Sequence, residues 1–258
     1  MKTKRTGFHI LTALVVAFGL VTAAYAADGP DSTAADPAAN ARLRASCQNN
    51  LKQMGLVFKM FANESKGEVF PALSPEAGKF MFSNEKKVHP EYLTDMSVLM
   101  CPAGKDTGLL DDPEKKADPI SLIDDHSYYY LGYVIRNEED LKAFAEAYKE
   151  NIAKGLKFDE DLTAAGQAVL RLKEGVERLV ITDLNDPSAA AKAQSEIPVL
   201  IERPGNHEPE GGNVLFMDGH VAFLRYSENG QWPMTKAFVD TMKSLEDIKA
   251  PEAGEKKE

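Results

Sequence analysis

Residues 41–62, ARLRASCQNNLKQMGLVFKMFA, decide the fold. Leu43, Cys47, Leu51, Met54, Phe58 and Phe61 follow one another at intervals of four, four, three, four and three, which draws one stripe along an α-helix. Arg42, Arg44, Asn49, Lys52 and Lys59 fall mostly off that stripe, while Leu56 and Val57 widen it toward the C-terminal half. Asn40 is placed to cap the start and Asn63–Gly67 to end it. A helix with one apolar side needs a layer to cover it, and the rest of the chain supplies strands. Ser127–Ile135 is aromatic and β-branched, Arg178–Thr182 and Ile197–Glu202 read as strands, and Asn213–Met217 and His220–Leu224 flank Asp218-Gly219, a pair suited to a two-residue hairpin turn. Val69–Pro71 and Lys79–Phe82 are short extended pieces, Val88–Pro102 is a partly helical loop delivering Cys101, and Gly104–Pro119 is a polar surface excursion. Helical spacing returns over Glu138–Ala153, with Asn137 as cap and Gly155 as stop, more weakly over Leu162–Glu174, and finally over Met234–Ile248. The expectation is one α+β domain over 41–248, with a helical insertion at about 138–176 and a charged tail at 249–258.

The chain has 258 residues, 43% of them hydrophobic, with 30 Lys+Arg against 40 Asp+Glu and two cysteines. These values exclude a disordered polymer, a multi-pass membrane protein and a disulfide-dense miniprotein. Met1–Thr6 is basic, Ile10–Val21 is apolar, and Ala24-Tyr25-Ala26 closes the segment with small residues, so residues 1–26 read as an export signal cleaved before Ala27. Residues 27–40 are rich in Ala, Asp, Pro, Ser and Thr and read as a flexible linker. Without the leader the net charge falls from −10 to −13. Such an acidic body repels phosphate, so nucleic acid is not expected as a partner. No stable membrane span is expected after signal cleavage.

Export gives the cysteines a context. Cys47 and Cys101 stand apart from any C-x-x-C or clustered histidine, so spacing offers no metal site. In an oxidising compartment an even pair is expected to close a structural disulfide, worth roughly 4 kcal/mol for a loop of this length. Two buried free thiols are the alternative.

The motifs also carry a resemblance. Ser46-Cys47-Gln48-Asn49-Asn50-Leu51-Lys52-Gln53-Met54-Gly55 resembles the helix motif of a bacterial family of prepilin-like exported proteins related to type II secretion pseudopilins. Pro204-Gly205-Asn206-His207 and Gly211-Gly212-Asn213-Val214-Leu215-Phe216-Met217-Asp218-Gly219 are similar to that family's C-terminal signature, a His, nine residues, then Asp-Gly. Met100-Cys101-Pro102 resembles its second cysteine site. Ten residues separate His207 from Asp218 here. Lys4-Arg5-Thr6-Gly7-Phe8 also resembles a prepilin cleavage site, but Thr12 stands where that family has Glu. Pro30 and Pro37 interrupt the path on which relatives run one long helix out of the membrane. The resemblance implies a pilin-like domain: an N-terminal amphipathic helix on an antiparallel sheet ending in the Asp-Gly hairpin.

No G-x-S-x-G, H-E-x-x-H, P-loop or dinucleotide fingerprint is present, and no catalytic residue is assigned. Asp124-Asp125-His126-Ser127 holds triad residue types, but sequence neighbours seldom converge as a triad. His207, Asp218, Gly219 and His220 have suggestive spacing for a metal or a sugar; a structural role in loop and turn is the simpler reading. Asp183, Asn185 and Asp186 would suit calcium, yet Asp186-Pro187-Ser188 is ordinary turn chemistry, so no cofactor is expected. The expected function is that of a non-enzymatic extracytoplasmic pilin-like protein, periplasmic or secreted, whose partners are other envelope or secreted proteins. Two alternatives stand beside it: a membrane-anchored minor pseudopilin, and a periplasmic metal- or glycan-binding protein or hydrolase using the His207/Asp218/His220 region.

Overall fold

Helix α1 spans Pro37–Glu64 in a computed structural model that describes residues 36–181, 183, 185–207 and 210–250. The expected signal peptide, the linker up to residue 35 and residues 251–258 of the tail lie outside the described residues. Asp36 caps the helix, its side chain accepting from the Ala38 N–H at 2.9 Å, and Pro37 occupies the first turn. The helix therefore begins four residues before the expected boundary, and Asp36 replaces Asn40 as cap. A proline fits there because its missing N–H would have had no intrahelical partner.

The buried face of α1 carries Cys47, Leu51, Met54, Val57, Phe58 and Phe61, as the spacing predicts. Leu43 is half-buried, whereas Leu56 corrects the expectation: it is 63% exposed. This face lies on a four-stranded sheet of order β1-β4-β5-β6, antiparallel throughout, formed by β1 (Tyr128–Tyr130), β4 (Pro198–Glu202), β5 (Gly211–Phe216) and β6 (Val221–Arg225). Strand alternation sorts the side chains. Tyr130 faces α1, its ring 5.0 Å from that of Phe58. Tyr129 faces the other way, its ring 5.9 Å from Phe238 of the C-terminal helix. The tyrosine run is thus the middle of a sandwich, covered on both sides.

Short helices α2 (Val88–Glu91) and α3 (Pro113–Ala117) lie in the long connection between α1 and β1. Helix α4 (Glu138–Lys154) forms as expected, with the Asn137 side chain accepting from the Asp140 N–H and Gly155 ending it in the left-handed region. Helix α5 (Ala189–Glu196) was not expected, and α6 (Lys236–Glu246) is capped by Thr235.

Several expectations are corrected. Leu162–Glu174 is not a helix but begins as a hairpin, β2 (Leu162–Ala164) with β3 (Gln167–Val169), because Ala165 and Gly166 both take positive φ and turn the chain. Arg178–Thr182 is no strand: Val176–Leu179 is a 3₁₀ turn, and Thr182 lies outside the described residues. The Ser127–Ile135 strand keeps only its first third, since Gly132 turns at φ +74° against Leu73. The Asp218-Gly219 turn is longer than two residues. Gly219 N–H donates to the Phe216 carbonyl and Phe216 N–H to the His220 carbonyl, which encloses Met217, Asp218 and Gly219, with φ +90° at Gly219 alone. Mixed helix and antiparallel sheet confirm the α+β class. Among the described residues no helix is long and apolar enough to cross a membrane.

Phe58→Ala should cost about 3–5 kcal/mol in urea or thermal unfolding, while Leu56→Ala should stay within about 0.5 kcal/mol. Gly219→Ala has open space around it but a left-handed backbone, so about 1–2 kcal/mol is expected from backbone strain alone.

Candidate functional site

The motif residues do not meet as one site. Asp218 and His220 sit at the tip beyond the end of β5, where the His220 ring stacks 4.4 Å from Phe216 and its Nδ1 lies 2.6 Å from Asp218 Oδ1. Both are exposed. His207 is near the opposite end of β5, 3% exposed. The expected grouping of His207 with Asp218 and His220 is therefore corrected: the length of a strand separates the loop from the turn.

His207 has other company. Its Nε2 donates to Glu202 Oε1 at 3.0 Å, and Cys101 Sγ lies 3.5 Å from the same nitrogen. Cys47, from α1, completes a group whose sulfur, nitrogen and oxygen atoms all lie within 4.8 Å of one another. The expected disulfide is not formed in this structure; Cys47 and Cys101 are buried free thiols.

Each member is placed by its own element. Glu202 ends β4 directly opposite Tyr128, with its side chain on the α1 side of the sheet. Its Oε2 accepts from the Asn213 N–H at 2.9 Å and from Asn213 Nδ2 at 2.7 Å. Asn50, one turn beyond Cys47, donates Nδ2 to the Met100 carbonyl at 3.0 Å, and Ser127 Oγ accepts from the Cys101 N–H at 2.9 Å. Those two bonds fix the second cysteine against α1. Gly212 allows the strands their close approach, because a Cβ there would lie 2.7 Å from the Glu202 carbonyl oxygen. The Tyr128 hydroxyl and Asn213 Oδ1 have no hydrogen-bond partner among the described residues.

The electrostatics are those of a sealed ion pair, His207 with Glu202. Burial opposes the charge on both partners. The bond to His207 nevertheless holds Glu202 below the usual carboxylate range, and the bonds to Cys101 and Glu202 lift His207 to about 9. Hydrogen bonding to Cys47, followed by burial, pushes the Cys101 thiol far up.

Beyond the end of β4 the chain reaches a cleft on the other side of the sheet. Arg203 projects there, its guanidinium 4.3 Å over the Tyr129 ring, bonded to Asp125 Oδ2 at 3.0 Å and Glu246 Oε1 at 2.6 Å. It borders a cleft of about 530 Å³ that Lys79, Lys105, Asp124, Asp125 and His126 also line. Ser127 points away from this cleft toward Cys101, so Asp124, His126 and Ser127 form no triad. Burial and the neighbouring Asp124 raise Asp125 to about 6; Asp124 is held down to about 2 by hydrogen bonds from Asp125 and Lys79, against its own burial. Asp183 and Asp186 accept from the N–H groups of Asn185 and Ser188, two residues on, which is plain turn chemistry at exposed positions.

Sequence reasoning missed Glu202, Asn213, Asn50 and Ser127. A carboxylate closing the apolar run Pro198–Ile201 was the one available signal, since such a strand is buried along its length. No family model, curated protein or solved structure matches the chain.

Glu202→Ala leaves His207 and Asn213 facing an empty carboxylate position and should cost about 3–5 kcal/mol in denaturant unfolding. Asp125 supplies the pH dependence. Its folded value exceeds the ordinary one, so it favours folding when protonated: that contribution grows as pH falls from about 6 toward 4 and is lost as pH rises through about 6. Asp124 acts in the opposite sense, stabilising above pH 4 and losing its effect toward 2. The difference in Tm between the parent chain and Asp125→Asn should therefore shift in the parent's favour as pH falls from 7 to 4.

Proposed function

We propose that this chain is a non-enzymatic, exported, pilin-like protein of structural or interaction type. The observation that supports it is the burial of five of the residues that carry the resemblance. Cys47, Cys101, His207, Gly212 and Asn213 are spent on joining α1 to the sheet, where a substrate has no path to them. A long amphipathic helix lying on an antiparallel sheet suits a pilin-like domain. Its outer side carries exposed Leu56 and Met60, four residues apart and so on one face, available to a protein partner. The cleft beside Arg203 carries both signs of charge, which suits a polar protein contact better than the apolar enclosure typical of small ligands.

In this reading the basic, apolar and small-residue blocks of 1–26 direct export and are removed, leaving an acidic protein in the periplasm or outside the cell. Its partners are other envelope or secreted proteins. The minor-pseudopilin alternative differs in keeping its apolar N-terminus as an anchor. Mass spectrometry of the protein recovered from fractionated cells separates them. A chain beginning at Ala27 in the soluble extracytoplasmic fraction is expected; one beginning at Phe8 in the membrane fraction would overturn the soluble reading.

A further inference from the structure

We propose that Cys47, Cys101, Glu202 and His207 form a closed, four-coordinate site for zinc(II). The donors are two sulfurs, one imidazole nitrogen and one carboxylate oxygen, all buried and gathered within 4.8 Å. That set and number are what a tetrahedral, borderline-soft cation takes.

The distances fit. Tetrahedral zinc with ordinary bond lengths sets sulfur and nitrogen ligands about 3.6 Å apart and nitrogen and oxygen ligands about 3.3 Å apart. Cys101 Sγ and His207 Nε2 are 3.5 Å apart, and His207 Nε2 and Glu202 Oε1 are 3.0 Å apart. One ring nitrogen thus faces both a sulfur and a carboxylate oxygen, an arrangement in which a single proton serves two neighbours. A cation at the centre would draw together four ligand atoms that already lie within 4.8 Å of one another.

The surroundings are those of a ligand set held in place. Asn213 gives two hydrogen bonds to the carboxylate oxygen that faces away from His207, leaving Oε1 for the centre. The backbone N–H of Cys101 is tied to Ser127, and the preceding carbonyl to Asn50. Such outer partners orient ligands and raise metal affinity. The fully buried hydroxyl of Tyr128, the cross-strand neighbour of Glu202, has no acceptor among the described residues.

Binding involves no redox step. Zinc replaces the two thiol protons and any proton on His207 Nε2, all of which pass to solvent, and the filled site carries one net negative charge. With four protein ligands no position is left for water, so the site is structural and not hydrolytic. It joins α1, the Met100-Cys101-Pro102 segment, β4 and the loop after it through one atom. It stands whether or not the chain is exported as proposed above.

The test uses the full chain, isolated without chelator or added reductant. Elemental analysis should find one zinc per chain, and alkylation after denaturation and metal removal should find two free thiols. Demetallated, reduced protein titrated with cobalt(II) should develop thiolate-to-cobalt charge-transfer absorption and the d–d bands of tetrahedral coordination, both removed by zinc. Cys47→Ser should weaken cobalt binding by about 100-fold or more while circular dichroism shows the fold retained. If that variant does not fold, the cobalt spectrum of the parent chain decides alone. A zinc-free chain with a quantitative Cys47–Cys101 disulfide overturns the proposal. So does bound cobalt that shows no thiolate absorption.

Discussion

Glu202 ends β4 with an ionised carboxylate that no water solvates, and its partners come from every side. The His207 ring arrives from the following loop, the Asn213 backbone and amide from β5, and the thiols of Cys47 and Cys101 from α1 and the loop beneath it. An isolated buried charge costs several kcal/mol, and losing one partner of a buried pair costs nearly as much as the pair can supply. Satisfying this one group therefore constrains the register of β4 on β5, the return of the loop over residues 203–207, and the rotation of α1 about its own axis. The apolar contacts of Leu51, Met54 and Phe58 provide most of the burial, but hydrophobic packing is non-directional. The carboxylate supplies direction.

The last residue of β4 and the one after it show how backbone alternation divides labour. Glu202 points into the dry layer under α1, and Arg203 points to the other side, into the cleft. Inside, the opposite charge is one histidine in fixed geometry. Outside, Arg203 shares its guanidinium among Asp125, Glu246 and the Tyr129 ring, and thereby ties β4 to α6 and to the start of β1. The same two-residue period makes Tyr128 a neighbour of the cysteines, Tyr129 a platform for Arg203, and Tyr130 a packing partner of Phe58.

What could be read from the sequence was whatever repeats locally. The stripe from Cys47 to Phe61 and helix α4 between Asn137 and Gly155 announce themselves by a period of 3.6, β4 by its apolar run, and β5 and β6 by the Asp218-Gly219 turn between them. The hairpin at Ala165-Gly166 did not, because alanine seldom adopts positive φ and its surroundings match a helical period as well as a strand's. Leu56 was assigned to the packed face because periodicity finds a helix's apolar side but cannot tell how wide a strip the partner layer covers. The cluster around Glu202 was illegible for a different reason. Its members come from residues 47, 101, 202 and 207, and a spacing rule recognises only ligands that one turn or hairpin brings together. His207 was matched with Asp218 and His220, its neighbours in the motif, whereas in the structure it meets the acid five residues before it.

The hydrogen bond from Asn213 Nδ2 to the Arg44 carbonyl crosses the helix–sheet interface and joins positions 169 residues apart. A ribosome delivers α1 long before β5 exists. For most of synthesis the helix has an apolar flank and no surface on which to lay it, so an element made before the sheet is among the last to be finished. During that interval the stripe that later becomes the core is a ready target for holdase chaperones, and premature clustering of nascent chains is the hazard this topology carries.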